Sequence, residues 1–232
     1  MIMENFIVFN GISTKTLGVY VAEMPGHRRG AVRCEEYEIP GRNGAVVVAD
    51  GYSPFDMPVT LVMLSAGAET RQAVNAWATG EGKLYTSDMP TKCWLAMPIS
   101  EVTYQRREYG GKFFDTATVT FRCDPIMRQT TETAVSFTAD GTLTNPGNVV
   151  ALPKIVITGN GDVSCTIAGQ PVAISGMQTA HPVTIDCEAG YIYTDEGAAE
   201  MTGDIPSLPL DTCNIAIGTA AKIEITPHWG WI

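Results

Sequence analysis

The four residues Asn145-Pro146-Gly147-Asn148, near the middle of the chain, constrain its folding more than any other stretch. Proline fixes φ and removes a donor, and glycine tolerates positive φ. A Pro-Gly pair between two asparagines is therefore a turn, and cannot continue a helix or a central strand. The chain changes character across it. Up to Arg128 it has 13 Lys+Arg against 14 Asp+Glu, and from Gln129 onward 2 against 11, so nearly all of the net charge of −10 lies in the second half. A mixed-charge half meets an acidic half. The expected division is a first domain over 1–128, a connector with a first strand over 129–144, and a second domain over 145–232. An ordinary turn inside one large β domain is the alternative, because 232 residues fit either arrangement.

A hydrophobic content of 45% and a charged content of 17% describe a globular chain. So few charges suit a protein that shares surface with other chains, since interface cores are depleted in charge. No apolar run approaches the ~20 residues of a membrane span. Met1 to Asn5 place no basic region ahead of an apolar segment, so no signal peptide and no membrane partner are expected. A pI near 4.7 opposes tight binding of nucleic acid. Arg28, Arg29 and Arg33 form the one basic cluster, with Glu35, Glu36 and Glu38 just behind it. The six cysteines form no C-x-x-C pair and have no histidine at zinc-ligand spacing, so they read as small buried hydrophobes.

The first half alternates β-type runs with dense turns. Asn5 to Phe9 ends in Asn10-Gly11, the favoured pair for a tight hairpin, and Leu17 to Val21 follows. Cys34 to Ile39 is extended but acidic. Pro40-Gly41-Arg42-Asn43-Gly44 is a loop, and Ala45 to Ala49 a short apolar strand. Val59 to Leu64 is almost continuously apolar, which predicts a strand covered on both sides. The one persuasive helix lies between Ala68 and Thr79: Ala73, Val74, Trp77 and Ala78 share a stripe, and Gly80 supplies the stop. Trp77 is its expected anchor. Arg106 to Lys112 reads as an exposed loop or hairpin tip. After it, Phe113, Ala117, Val119, Phe121 and Cys123 share one face, broken only by Asp115, and threonines share the other; Asp124-Pro125 closes the strand. Beyond the central turn only short strands recur, the spacing of an all-β sandwich. The last residues are Pro227-His228-Trp229-Gly230-Trp231-Ile232.

Motifs that would carry chemistry are missing. Gly80-Glu81-Gly82-Lys83 fails as a phosphate loop, because Trp77 occupies a required glycine position and Leu84 replaces the magnesium-binding hydroxyl. His27, His181 and His228 stand apart from one another. Asp186 and Glu188 could form the acid pair of a glycosidase, but a solvated acidic face explains them more simply. Asn160-Gly161-Asp162 is too short for a calcium loop. No catalytic, cofactor-binding or metal-ligating residues are expected, and no enzyme activity.

The order of these turns resembles that of the distal tail proteins of long non-contractile-tailed bacteriophages. The first half carries Phe9-Asn10-Gly11-Ile12-Ser13, Leu17-Gly18-Val19, Pro40-Gly41-Arg42-Asn43-Gly44, Trp77 with Gly80, Leu84 with Ser87-Asp88-x-Pro90, and Phe121-Arg122-Cys123-Asp124-Pro125. The second carries Asn145-Pro146-Gly147-Asn148, Pro153 before Ile155-Val156-Ile157, Gly159-x-Gly161, Ile185-Asp186 and Pro227-x-Trp229. It departs at Asp211-Thr212-Cys213-Asn214, where a Gly-x-Asn turn is expected. The resemblance implies a mainly β fold. The N-terminal domain would be a β-sandwich or split-barrel-like unit with one helix and a projecting hairpin, and the C-terminal domain a galectin-like β-sandwich facing outward. It implies a homohexameric ring at the tail tip, made in the host bacterial cytoplasm and carried in the virion. The ring would join the tail tube protein to the hub or fibre protein, near the tape measure protein, around a channel for DNA. An acidic lining of that channel would repel DNA, although the acid lies in the presumed outer half. Candidate interface residues are Arg106, Arg107, Tyr109 and Lys112 at the exposed tip, Arg42 and Asn43 in the glycine-rich loop, and Trp229 and Trp231 at the end. The alternative is a carbohydrate-binding β-sandwich module with Tyr191, Tyr193, Trp229 and Trp231 along a groove.

Overall fold

The computed structural model describes residues 5–64 and 67–232. The chain divides into two compact units, the first ending at Thr130 and the second running from Thr131 to Trp231. Each has its own buried cluster of apolar side chains.

The first unit opens with β1 (Ile7–Phe9) and β2 (Ile12–Ser13), paired through Asn10 and Gly11, both at positive φ as a tight hairpin turn requires. Turns from Thr14 to Gly18 take up the start of the strand expected over Leu17 to Val21, and β3 is only Tyr20–Val21. Next come β4 (Val32–Glu38), β5 (Ala45–Tyr52) and β6 (Phe55–Met63). The helix α1 spans Ala68–Trp77, and β7 (Gly82–Thr86), β8 (Lys92–Pro98), β9 (Thr103–Tyr109) and β10 (Lys112–Gln129) complete the unit. Seven of these strands form an antiparallel sheet in the order β2-β1-β7-β8-β10-β6-β3, and β9 pairs the start of β10. The ribbon β4–β5 is a separate two-stranded sheet.

Two expectations change here. β6 is buried only at alternate positions, with Met57, Val59, Leu61 and Met63 inside and Thr60 outside, so the sheet covers one face of it. Leu64 is exposed beyond its end. β10 does not stop at Asp124-Pro125; it shifts register between Cys123 and Met127 and continues against β8.

Helix α1 follows its apolar spacing, with Val74 and Trp77 buried and Gly80 at positive φ just beyond its end. Trp77 meets Phe9 and Phe121 edge-on, at 6.0 and 5.6 Å between ring centres, and its indole N–H donates to the Ile12 carbonyl at 3.0 Å. Phe9 and Phe121 are themselves 5.0 Å apart. β1 and β10 are three strand spacings apart, about 14 Å in a flat sheet. The sheet must therefore curl, and the three rings fill the concavity.

Asp115, the residue that interrupts the apolar face of β10, is completely buried. Arg71 of α1 donates to its Oδ2 from Nε (2.8 Å) and from Nη2, and Arg106 of β9 donates to Oδ1 from Nε at 3.3 Å. Burial pushes this carboxyl up, but the two guanidiniums outweigh burial and hold it below the usual carboxylate range. The triad ties helix, hairpin and sheet together at the point where β9 leaves the core.

The second unit is a sandwich of two antiparallel sheets, and no helix occurs among its described residues. Its strands are β11 (Val135–Phe137), β12 (Gly141–Thr144), β13 (Lys154–Thr158), β14 (Gly161–Ile167) and β15 (Gln170–Met177). They continue with β16 (Val183–Asp186), β17 (Tyr191–Thr194), β18 (Gly197–Ala198), β19 (Thr212–Ala216) and β20 (Lys222–Thr226). One sheet runs β11-β20-β13-β16-β17-β18 and the other β12-β19-β14-β15. Ile155, Ile157, Ile185, Ile223 and Ile225 from the first meet Val163, Ile167, Val172 and Ile215 from the second. Phe137 and Leu143 belong to this core, so the stretch expected as a connector with a first strand contributes two strands to the sandwich.

Asn145-Pro146-Gly147-Asn148 lies inside the second unit. Asn145 is buried; its amide donates to the carbonyls of Val149 (3.0 Å) and Pro209 (3.1 Å), and its Oδ1 accepts from the Gly147 N–H at 2.8 Å. A Cβ on Gly147 would lie 2.2 Å from the Gly230 carbonyl oxygen, so only glycine fits there. The mainly β fold that the resemblance implied is the one observed.

Trp77→Ala should lower unfolding free energy by about 3–5 kcal/mol, measured by denaturant melts; an unchanged midpoint would contradict its role as the filler of the curl. Arg71→Ala strands a buried carboxylate and should cost about 3 kcal/mol. Asp115→Asn should cost less, because both arginines reach water. Because the folded pKa of Asp115 is depressed, its contribution is present above the unfolded carboxylate pKa and is lost as pH falls. Thermal melts across about pH 2–5 should show a shallower acid slope in Asp115→Asn than in the native chain. Limited proteolysis should cut between Gln129 and Ala134 and spare 145–148; early cleavage at that turn would show that its hydrogen bonds do not hold it.

Candidate assembly surfaces

The ribbon β4–β5 has no core on either of its faces. Every residue of β4 is exposed, and in β5 only the two ends, Ala45, Val46 and Tyr52, are partly covered. Val47 and Val48 are 56% and 48% exposed, and Val32, Tyr37 and Ile39 are exposed beside them. The register pairs Glu35 with Val48, Glu36 with Val47 and Tyr37 with Val46, so neither face closes on a core. A two-stranded ribbon alone in water is marginally stable. Its base is held: Arg33 donates from Nε to the Asp50 carbonyl at 2.8 Å, and the Arg29 guanidinium lies 5.8 Å from the Tyr52 ring centre. A Cβ on Gly30 would sit 2.3 Å from the Ser53 carbonyl oxygen and 2.7 Å from Pro125, so this glycine lets the ribbon root close to β10. The basic cluster read from the sequence is thus occupied in part at the ribbon base.

Arg42 and Asn43 are exposed at the ribbon tip, between Gly41 and Gly44, both at positive φ. The other four residues expected at a tip lie on the β9–β10 hairpin. Its turn is Gly110-Gly111, so Arg106, Arg107 and Tyr109 are strand residues and Lys112 begins β10. Arg106 turns inward to Asp115. Arg107 faces the other way and donates from Nη2 to the Gln105 amide oxygen at 2.8 Å. Tyr109 is 84% exposed, and Phe113, expected on the buried face, is exposed because the hairpin runs past the core.

The two terminal tryptophans differ from the expectation of an interface. Trp229 is only 8% exposed and belongs to the core of the second unit, and Trp231 packs partly buried against it. An apolar ring this large is more stable inside the sandwich than in water. That removes Trp229 from the aromatics proposed for a glycan groove. Tyr191 remains exposed and lies 5.6 Å from the Tyr193 ring, which Lys154 approaches at 5.9 Å.

The two members of the candidate acid pair make separate local contacts. Asp186 accepts from the Ala189 N–H at 2.9 Å as an ordinary turn carboxylate, and Glu188 stands 3.8 Å from His228. His181 is bracketed by Asp195 (2.8 Å) and Glu196 (3.4 Å), and the Asp195 hydrogen bond raises its pKa. Among the described residues no group of histidine, cysteine and carboxylate side chains could hold a metal ion. Five cysteines are buried; Cys34, on β4, is exposed. Burial pushes the thiols of Cys123 and Cys187 up to about 12 and that of Cys165 to about 11, so these three are inert at neutral pH.

Sequence reasoning placed the exposed tips but missed the bare valines of β5. The signal was present: consecutive Glu35 and Glu36 put a carboxylate on each face of β4, which no two-sided or one-sided core accepts.

No protein-family model and no curated protein matches the chain. Among solved structures it is similar to the Dit (gp 19.1) protein of phage SPP1, described as a paradigm of the hub adsorption apparatus in phages infecting Gram-positive bacteria. The TM-score is 0.74 at 16% identity, over 96% of this chain and 98% of that one. It is also similar to a chain of the phage P2 baseplate in its activated conformation with calcium, at a TM-score of 0.50 and 9% identity, over 97% of each chain. At these identities the likeness is one of fold, and it extends over nearly the whole length of both chains.

Proposed function

We propose that this chain is a structural component of a phage tail tip, a distal tail protein that forms a homohexameric ring. The ring joins the tail tube protein to the hub or fibre protein, beside the tape measure protein, around a channel through which DNA passes. The chain acts in the virion after synthesis in the host bacterium, binds no nucleic acid tightly and catalyses no reaction. The single observation that carries this reading is a fold shared along nearly the whole chain with the SPP1 Dit protein.

Two features of the chain support it. The bare ribbon and the bare hairpin tip both need a neighbour to cover apolar surface. The first unit has almost balanced charge, so many copies can be packed side by side, whereas the second has 11 acids against 2 bases and keeps its face in solvent. The channel wall is then built from the near-neutral unit, which neither grips nor strongly repels a passing duplex. Light scattering of the purified full chain over a range of concentrations should give the mass of six copies, and negative-stain images should show a ring with a central hole. A monomer at every concentration, with binding to a glycan array through Tyr191, would favour the carbohydrate-binding module instead.

A further inference from the structure

We propose that the free edge of β4 in one copy of this chain docks along the free edge of β9 in the next copy, setting Glu35, Glu36 and Glu38 against the basic hairpin that carries Arg106, Arg107 and Lys112. This contact rests on the ring reading above and names the surfaces that would close it. Each strand has an unpaired edge: β4 pairs only β5, and β9 pairs only β10, among the described strands. Both are seven residues long, so their rows of backbone donors and acceptors match in length. An unpaired edge of this length is a template for strand addition.

Charge selects the partner. The ribbon from Val32 to Tyr52 has four acids and two bases, and the hairpin from Thr103 to Phe114 has three bases and one acid. One ribbon base, Arg33, is already engaged with Asp50. Pairing β4 with β4 of another copy would set glutamates against glutamates, and pairing β9 with β9 would set Arg106 and Arg107 against themselves. Like charges facing each other across strands are destabilising, so both self-pairings are disfavoured and the unlike pairing is favoured. Apolar groups follow the same match: Tyr109 and Phe113 at the hairpin give Val32 and Tyr37 of β4 an apolar surface to cover. Because the two edges are different patches, the contact is head-to-tail. Such contacts close into rings or run on as filaments, and do not stop at a two-fold dimer.

Arg107 is the side chain on which the test turns. Arg106 already serves Asp115, whereas Arg107 points away from the core. On β4, Cys34 and Glu36 share a face by alternation, so the strand direction that sets Glu36 beside Arg107 sets Cys34 there as well. Two sets of variants of the full chain follow. Glu36→Arg and Arg107→Glu should each weaken self-association about tenfold or more, and the double variant should recover it, read by light scattering at low salt. Arg107→Cys, treated with a short bismaleimide, should link to the exposed native Cys34 of another copy and give a ladder of multimers on a denaturing gel. Thr142→Cys, exposed on the second unit, should not.

A ladder confined to Arg107→Cys together with charge rescue supports the contact. A native-sized ring that ignores both charge reversals and yields no ladder overturns the contact and leaves the ring reading intact. A chain that stays monomeric and yields no ladder overturns both. Equal ladders from Arg107→Cys and Thr142→Cys also overturn the contact, because linkage would then report collision alone.

Discussion

The first unit depends on the curl of its sheet around three aromatic rings. Phe9, Trp77 and Phe121 come from a hairpin, a helix and the longest strand, and they meet only because β1 and β10 bend toward each other. Trp77 also caps the hairpin carbonyl of Ile12, so one side chain fixes both the depth of the helix and the position of β1–β2. Fully burying rings of this size is among the larger favourable contributions any side chain makes.

Everything that projects from the unit is rooted on that core. The β9–β10 hairpin leaves it at Asp115, where a buried carboxylate is held by one arginine from the helix and one from the hairpin itself. A buried ion pair contributes little net stability against an apolar replacement, but it defines geometry, because any displacement leaves a charge unpaired. The ribbon β4–β5 is rooted at Gly30 and Arg33. Beyond these roots neither projection has a core of its own. Their apolar residues therefore stay exposed, whereas the second unit closes a sandwich core.

Much of this was legible in the residues. Asn10-Gly11, Pro40 to Gly44 and the stripe ending at Trp77 each gave a turn or helix where the structure has one, because turn chemistry and helical spacing are local properties. Asp115 could be seen as an interruption of an apolar face, but not its partners. Arg71 is 44 residues away and Arg106 is 9, and only the strand pairing and the helix position bring them together. The run Val59 to Leu64 misled, because an apolar residue such as Val62 stands on the outer face of β6 without a periodic signal to mark it. Trp229 misled in the opposite direction: a tryptophan near the end of a chain looks available, and here it fills the sandwich core.

By itself the sequence determined the local geometry and the sorting of charge. Proline and glycine set the turns, alternation set the strand faces, and the count of acids and bases separated a near-neutral part from an acidic one. Only the tertiary structure decided which edges remain unpaired and which valines remain bare. Those are properties of non-local pairing. The turn at Asn145 to Asn148 shows the difference. Its residues dictate a turn, but its buried asparagine and its closeness to Gly230 place it within the second sandwich, while the division falls at Thr130. A turn is fixed by φ and ψ of a few residues, whereas a domain boundary is fixed by which distant side chains share a core.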